Sequence, residues 1–270
     1  MRITAKATLP EIGHSRSIIV LLLVSIVFFQ PGASSADPVA VRHTEGTFHG
    51  FLVLRTTEGK TLAAGDLIEI TEGDRVTSRL IFRFKDGSID DESTVFTQHL
   101  TFRLVTDHHV QKGPAFPHAM DVSIHASTGQ IQIRSMEGGK DKTEMYHLNL
   151  PPDLANGIML TLMKNIPPDA KETKVSFVAA NPKPRLVKLA ITPQGEDTFS
   201  AAGWRHGARR YVVKVELGGL TGIVAPLIGE QPRDTYVWVV GGDAPAFVKF
   251  EGPLYLRGPL WSIELTSPVW

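Results

Sequence analysis

The densest chemistry in this sequence lies around histidine. Asp107, His108 and His109 stand in a row, His118 and His125 follow, and nine of the ten histidines fall after residue 36. Imidazole nitrogen and carboxylate oxygen together suit zinc or a similar borderline ion, so a metal-dependent hydrolase built on Asp107, His108 and His109 is one reading. The spacing opposes a preformed site. His118 and His125 are an odd number of positions apart and face opposite sides of a regular strand, and residues 107–109 read as a polar turn leading to Gly113-Pro114.

Charge supplies a second set of candidates. Arg75, Arg79, Arg83 and Lys85 share one parity of a strand, and Arg205, Arg209 and Arg210 cluster beside Trp204 and His206. Either group could hold a phosphate or carboxylate through charge-assisted hydrogen bonds. Either could equally be a solvated sheet face, the first opposed by Asp90, Asp91 and Glu92. Adjacent carboxylates in a strand diverge, so that acidic run is not read as an acid–base pair.

The recognised catalytic motifs are absent. There is no G-x-S-x-G, no H-E-x-x-H and no dinucleotide fingerprint, and Gly138-Gly139-Lys140 is followed by Asp141 where a phosphate loop needs Ser or Thr. With no cysteine, thiolate nucleophiles, disulfides and Cys-ligated metals are excluded. No catalytic residue and no cofactor is expected, and an enzyme is the weaker reading. Equal numbers of basic and acidic residues, 28 of each, give no overall attraction to nucleic acid.

Apolar chemistry is better represented. Residues 218–229 carry no charge and combine Ile223 and Leu227 with four glycines and Pro226, which suits either a buried crossover or a gate over an apolar cavity. Met159 and Met163 lie in an apolar segment, and methionine adapts to irregular guests. Met159, Met163, Ile223 and Leu227 are therefore the candidate lining of a cavity, with Arg205, Arg209 and Arg210 as partners for an anionic head.

The elements that must position these residues start after a targeting segment. Arg2, Lys6 and Arg16 precede an apolar run at 18–29, and Ser34-Ser35-Ala36 provides small residues for cleavage. This twelve-residue run, interrupted only by Ser25, reaches about 18 Å as a helix, short of the roughly 30 Å of a bilayer core, so residues 1–36 read as a signal peptide rather than an anchor. Cleavage leaves 25 basic against 27 acidic residues over 234 positions. The expected location is periplasmic or secreted, with no transmembrane span after cleavage.

Residues 37–270 read as a single β-rich domain. A first meander occupies about 40–150, a short apolar helix 153–164, and a second β-rich part about 171–270. Some dozen runs of period two, from 48–55 to 261–265, support this. Strands at 118–127 and 130–136 are expected to join through Thr128-Gly129 as a two-residue loop. A single strand is expected at 96–105. Pairing across Asp86-Gly87 would put a carboxylate beside Phe82, so a bulge or longer loop is expected near Ser93. Asp153 is the expected N-cap of the helix, Gly157 a weak point within it, and Pro167-Pro168 its end. The alternation before Trp270 puts Glu264 on the aromatic residue's face, which disfavours an outer-membrane barrel.

A signal peptide, a long meander, an apolar helix and a returning sheet resemble exported bacterial β-rich proteins of unknown function, loosely similar to the Lol lipoprotein carriers. The likeness rests on 48–53, 80–84 with Asp86-Gly87-Ser88, the helix 153–163 and 211–217, and transfers no functional residue. The carriers are much shorter than this chain. The resemblance implies a large antiparallel sheet or open half-barrel wrapped around the helix and closing over acyl chains. The function expected is noncatalytic binding of a lipid or other apolar or amphipathic cell-envelope molecule. A structural module that binds an envelope protein is the alternative, and the metal-dependent hydrolase a further one.

Overall fold

Alternating apolar and polar residues build fourteen strands among the residues described by a computed structural model, which are 38–137, 140–180, 183–201, 204–216 and 232–266. The chain divides into Met1–Ala33 and Ser34–Trp270, and the described residues all belong to the second unit. The expected signal peptide, the glycine-rich segment 218–229 and Trp270 lie outside them.

The first eight strands are β1 (Phe48–Thr56), β2 (Thr61–Glu72), β3 (Arg75–Phe84), β4 (Ile89–His99), β5 (Thr101–Lys112), β6 (Met120–His125), β7 (Gln130–Glu137) and β8 (Lys140–His147). A helix α1 (Met159–Asn165) separates them from β9 (Thr173–Ala179), β10 (Arg185–Ala201), β11 (Trp204–Glu216), β12 (Thr235–Val240), β13 (Ala246–Gly252) and β14 (Trp261–Thr266). All fourteen form one antiparallel sheet in the order β8-β7-β6-β5-β4-β3-β2-β1-β14-β13-β12-β11-β10-β9. The fold is mainly β, an open sheet with one short helix. Inward residues from both halves of the sheet, such as Leu54, Phe82, Ile191 and Val237, join Leu154, Ile158, Leu162 and Met163 in one buried cluster. A flat sheet could not bring both flanks to one helix, so the sheet curves around it.

Several local expectations are corrected. Leu100, with φ of 55°, breaks the expected strand 96–105 into the end of β4 and the start of β5, so residues 107–109 lie in a strand rather than a turn. The loop between β6 and β7 has four residues, 126–129, because Gly129 adopts φ of 70° and donates its N–H to the His125 carbonyl at 3.0 Å. Ile124 then faces Ile131 and Val122 faces Ile133. That is a slip of two from the expected register, and a slip of two keeps every side chain on its face.

At Asp86-Gly87, Arg83 pairs with Ile89 and Phe82 with Asp90, so the carboxylate does share the inward face. The irregularity expected near Ser93 lies at the partner strand, where Val95 pairs with Thr106 and Phe96 with Leu104, leaving Val105 as the extra residue. The basic stripe faces outward, where Arg79 donates two bonds to Asp91 (2.9 and 2.7 Å) and Arg83 one to Asp66 (2.7 Å).

The helix is shorter than its apolar periodicity. Gly157 has φ of 66°, and a Cβ there would collide with Thr94 Oγ1 and lie 2.7 Å from Asp107 Oδ1, so regular α structure starts only at Met159. Gly157 is a requirement of the approach rather than a weak point. Asp153 caps nothing. Its carboxylate accepts from Ser176 Oγ (3.0 and 2.9 Å) and Lys188 Nζ (2.8 Å), and Lys188 Nζ also donates to Ser176 Oγ (2.8 Å). With Leu154 bridged to Ser176, and Asn156 exchanging two bonds with the Val178 backbone, this segment covers the outer edge of β9.

Candidate functional site

The curved sheet does not fill its own interior. A cavity of about 980 Å³ lies between the two halves, floored by Met159 and Leu160 of the helix region. Leu67 and Leu80 line it from one side and Val213, Val215 and Phe250 from the other, all only half-buried although they pack against the core cluster. Exposed Phe48 and Leu265 also stand on the lining and mark its opening. The volume is at the upper end of small-molecule sites, and the mixture of apolar walls with a few polar groups is what such sites require.

The polar wall is built by register. Along β4 every second residue from Asp90 to Gln98 faces inward, and the extra Val105 in β5 shifts that strand's inward set from Phe102 and Leu104 to Asp107, His109 and Gln111. Three consecutive cross-strand pairs result: Asp90 with Gln111, Glu92 with His109, and Thr94 with Asp107. On β2 and β3, Glu69 pairs with Ser78 in the same row as Thr94.

Hydrogen bonds and burial set the charges on this wall. His109 Nε2 lies 2.6 Å from Asp90 Oδ1, and its Nδ1 lies 3.9 Å from Glu92 Oε1. Burial alone would lower the imidazole's pKa, but Glu92, Asp90 and Asp107 outweigh it and push it up to about 9. His109 is therefore protonated at neutral pH, with both ring nitrogens donors and neither free to act as a base or a metal ligand. Burial, with Glu92 nearby, raises Asp107 to about 8, and Thr94 Oγ1 donates to its Oδ1 at 2.9 Å. Burial also raises Glu92. Glu69 is pushed up to about 7 by burial and by the charge of Glu45, which is itself tied to Lys164 Nζ at 2.6 Å.

The residues nominated from the sequence fall in several places. Met159 lines the cavity. Met163 is fully buried and lines a smaller space of about 330 Å³ with Arg209 and Tyr211. Arg209 is engaged by Glu196 (2.8 Å) and the Pro168 carbonyl (2.9 Å). Arg210 stacks over Tyr236 at 5.8 Å and lies 3.9 Å from Asp197, on the lining of neither space. Arg205 has a place in β11, but its side chain, like Ile223 and Leu227, is outside the described residues.

The alternative metal set does not converge. Asp107 and His109 face inward, whereas His108 faces outward and binds Asp121 at 3.0 Å. Among the described residues no group of three or more His, Asp and Glu is arranged to hold an ion.

Glu45, Glu69, Asp90, Glu92, Gln111 and Lys164 were not nominated. The signal was the shared parity of Asp90, Glu92 and Thr94 with Phe96, which reads as an inward strand face once a buried carboxylate is allowed.

No family description and no curated protein matches the chain. Among solved structures, the chain is similar to a β-barrel-like protein of the domain of unknown function DUF1849 from Brucella abortus, with a TM-score of 0.45 and 9% identity over 84% of this chain and 100% of that one.

Proposed function

We propose that this is an exported protein that binds an amphipathic molecule with an apolar chain, without catalysis, in the cavity of its open half-barrel. The observation that carries the reading is the 980 Å³ cavity itself, whose apolar walls stay half-covered in an otherwise packed interior. Leaving several large apolar side chains short of contacts costs stability, and a ligand that covers them recovers it. Protonated His109 argues against base catalysis on the polar wall. Export rests on the N-terminal segment, and among the described residues no helix is long and apolar enough to cross a membrane.

Gentle native mass spectrometry of the protein from its own cells, followed by solvent extraction, tests for a copurifying amphiphile, and the same spectrum reads the N terminus, expected near Asp37. A fluorescence titration with the neutral apolar dye phenylnaphthylamine tests the cavity directly. Leu80→Trp, which pushes a bulky ring from the wall into the cavity, is expected to weaken dye uptake with the fold retained. A clean mass together with no saturable dye uptake overturns the reading in favour of an envelope module that binds protein.

A further inference from the structure

Before β1 the chain runs as a strap across one end of the curved sheet. Val41 donates its N–H to the Leu100 carbonyl at 2.8 Å and Phe102 donates to the Val39 carbonyl at 3.1 Å, so residues 39–41 follow the edge of β5. Beyond them the ladder stops, and residues 42–47 are fastened through side chains. Asn165 Oδ1, at the end of α1, accepts the N–H groups of Arg42 (2.8 Å) and His43 (2.7 Å), and the Gln98 amide on β4 exchanges two bonds with the Glu45 backbone (2.6 and 3.0 Å). Arg42, His43, Thr44 and Glu45 all stand on the lining of the cavity, so this stretch is a piece of its wall that belongs to no strand.

The fastening at its centre is a pair of acids. Glu45 on the strap and Glu69 on β2 are 8% and 3% exposed, and their carboxyl groups are in hydrogen-bond contact. Glu45 Oε1 and Glu69 Oε2 have no other partner among the described residues. Two carboxylates offer each other only lone pairs, so contact between them takes a proton on one. The nearest cation, Lys164 on α1, is engaged by Glu45 Oε2 at 2.6 Å, and Glu69 Oε1 accepts from Ser78 Oγ of β3 at 3.3 Å. Glu45, Lys164 and Ser78 are the groups that bear on Glu69. On the same lining, Arg42 is turned to the Ile166 carbonyl (3.2 Å) and His49 to Asp66 (2.8 Å), while His43, Arg233 and Asp243 make no ion pair with either acid. Burial and the charge of Glu45 keep the proton on Glu69 until about pH 7.

We propose that residues 42–47 are a strap released by loss of this proton, shut over the cavity while Glu45 and Glu69 share it and swung outward once both are charged. Two adjacent buried charges with one lysine between them penalise the closed arrangement, and moving Glu45 into water relieves it. Glu69 cannot move in its place, because β2 is held by ladders to β1 and β3, whereas the strap has open space around Gly46. The strap enters β1 at Phe48, on the opening of the cavity, so its movement widens the way in. That last step rests on the cavity being a binding site, as argued above, and the release itself does not. Because the hydrated acid returns to its ordinary range, the ratio of open to closed strap is expected to rise about tenfold between about pH 6 and 8.

Hydrogen exchange read by mass spectrometry on the full mature protein, corrected for the intrinsic effect of pH, tests the release. Protection of the peptide that covers 42–47 is expected to fall about tenfold between about pH 6 and 8, with β3 and β4 unchanged. Stopped-flow uptake of phenylnaphthylamine is expected to quicken over the same range. Glu69→Gln puts an amide donor beside Glu45 at every pH, and is expected to hold both readouts at their low-pH values. Constant protection of 42–47 in the unaltered protein overturns the switch, whether or not the variant folds. An equal fall in β3 and β4 means a general loosening and overturns the strap. A variant that follows the same pH course overturns the assignment to this pair of acids. If the strap is released while dye uptake keeps its rate, the strap does not cover the cavity. If no dye binds at any pH, the cavity reading fails while hydrogen exchange still decides the release.

Discussion

Glu69, Asp107 and His109 each hold a proton more firmly in the folded chain than a free side chain does, and all three act on stability with the same sign. A pKa raised by folding means that protonation favours the fold. The contribution is full below the ordinary value and fades as pH rises through the folded value, which is about 7 for Glu69, 8 for Asp107 and 9 for His109. Asp66 and Asp91 are lowered by their partners His49, Arg79 and Arg83 and act oppositely, supporting the fold above the usual carboxylate range and losing that support in acid. Thermal stability is therefore expected to peak near pH 5 and to fall steadily towards pH 9.5. Glu69→Gln is expected to flatten the fall between about pH 4.5 and 7, worth about 3 kcal/mol, as read by melting curves across pH. A stability that rises across that range in the unaltered protein would contradict the burial of these groups. The site was hard to read in the sequence for the same reason. Rules that keep carboxylates out of a sheet interior placed Asp90 and Glu92 in solvent, whereas His109 between them and the Gln111 amide on Asp90 make their inward position tolerable.

At the scale of elements, the strands and the second half of the helix were legible, and the start of the helical bridge was not. Runs such as Phe48–Thr56 and Arg75–Phe84 alternate cleanly and sit within one or two residues of their expected bounds, while β8, rich in Lys, Asp and Glu, had no apolar signal over its first half. Asp153 looked like a helix cap because capping is a local rule, but Ser176 and Lys188, brought in by β9 and β10, claimed its oxygens instead. This buried cluster pins the bridge to the second half of the sheet. Lys188→Met leaves the Asp153 charge buried without its partner and is expected to lower stability by about 3 to 5 kcal/mol in urea denaturation. A loss under about 1 kcal/mol would mean that the bridge is held by its apolar contacts alone.

For the whole molecule, cohesion between the flanks of the sheet runs through the helix region. Leu162, 3% exposed, touches the shared core, and Leu162→Asp is expected to abolish the cooperative melt and the near-ultraviolet circular dichroism. An unchanged melting temperature would remove the helix from the centre of the fold. The overall class, a large antiparallel sheet around one apolar helix, followed from periodicity, but the strand order did not, since alternation says which face is buried and not which strand lies alongside. That order has a consequence in time. β1 is flanked on one side by the hairpin partner β2 and on the other by β14, with Leu54 opposite Ile263, so the strand at the middle of the finished sheet gains its second neighbour from about two hundred residues away. Pairings so distant in sequence make folding slow, on the order of milliseconds to seconds or longer. Until β14 docks, β1 presents an unpaired apolar edge, and chains shortened by that one strand are expected to self-associate, visible as a rise in light scattering, rather than to fold as a smaller sheet.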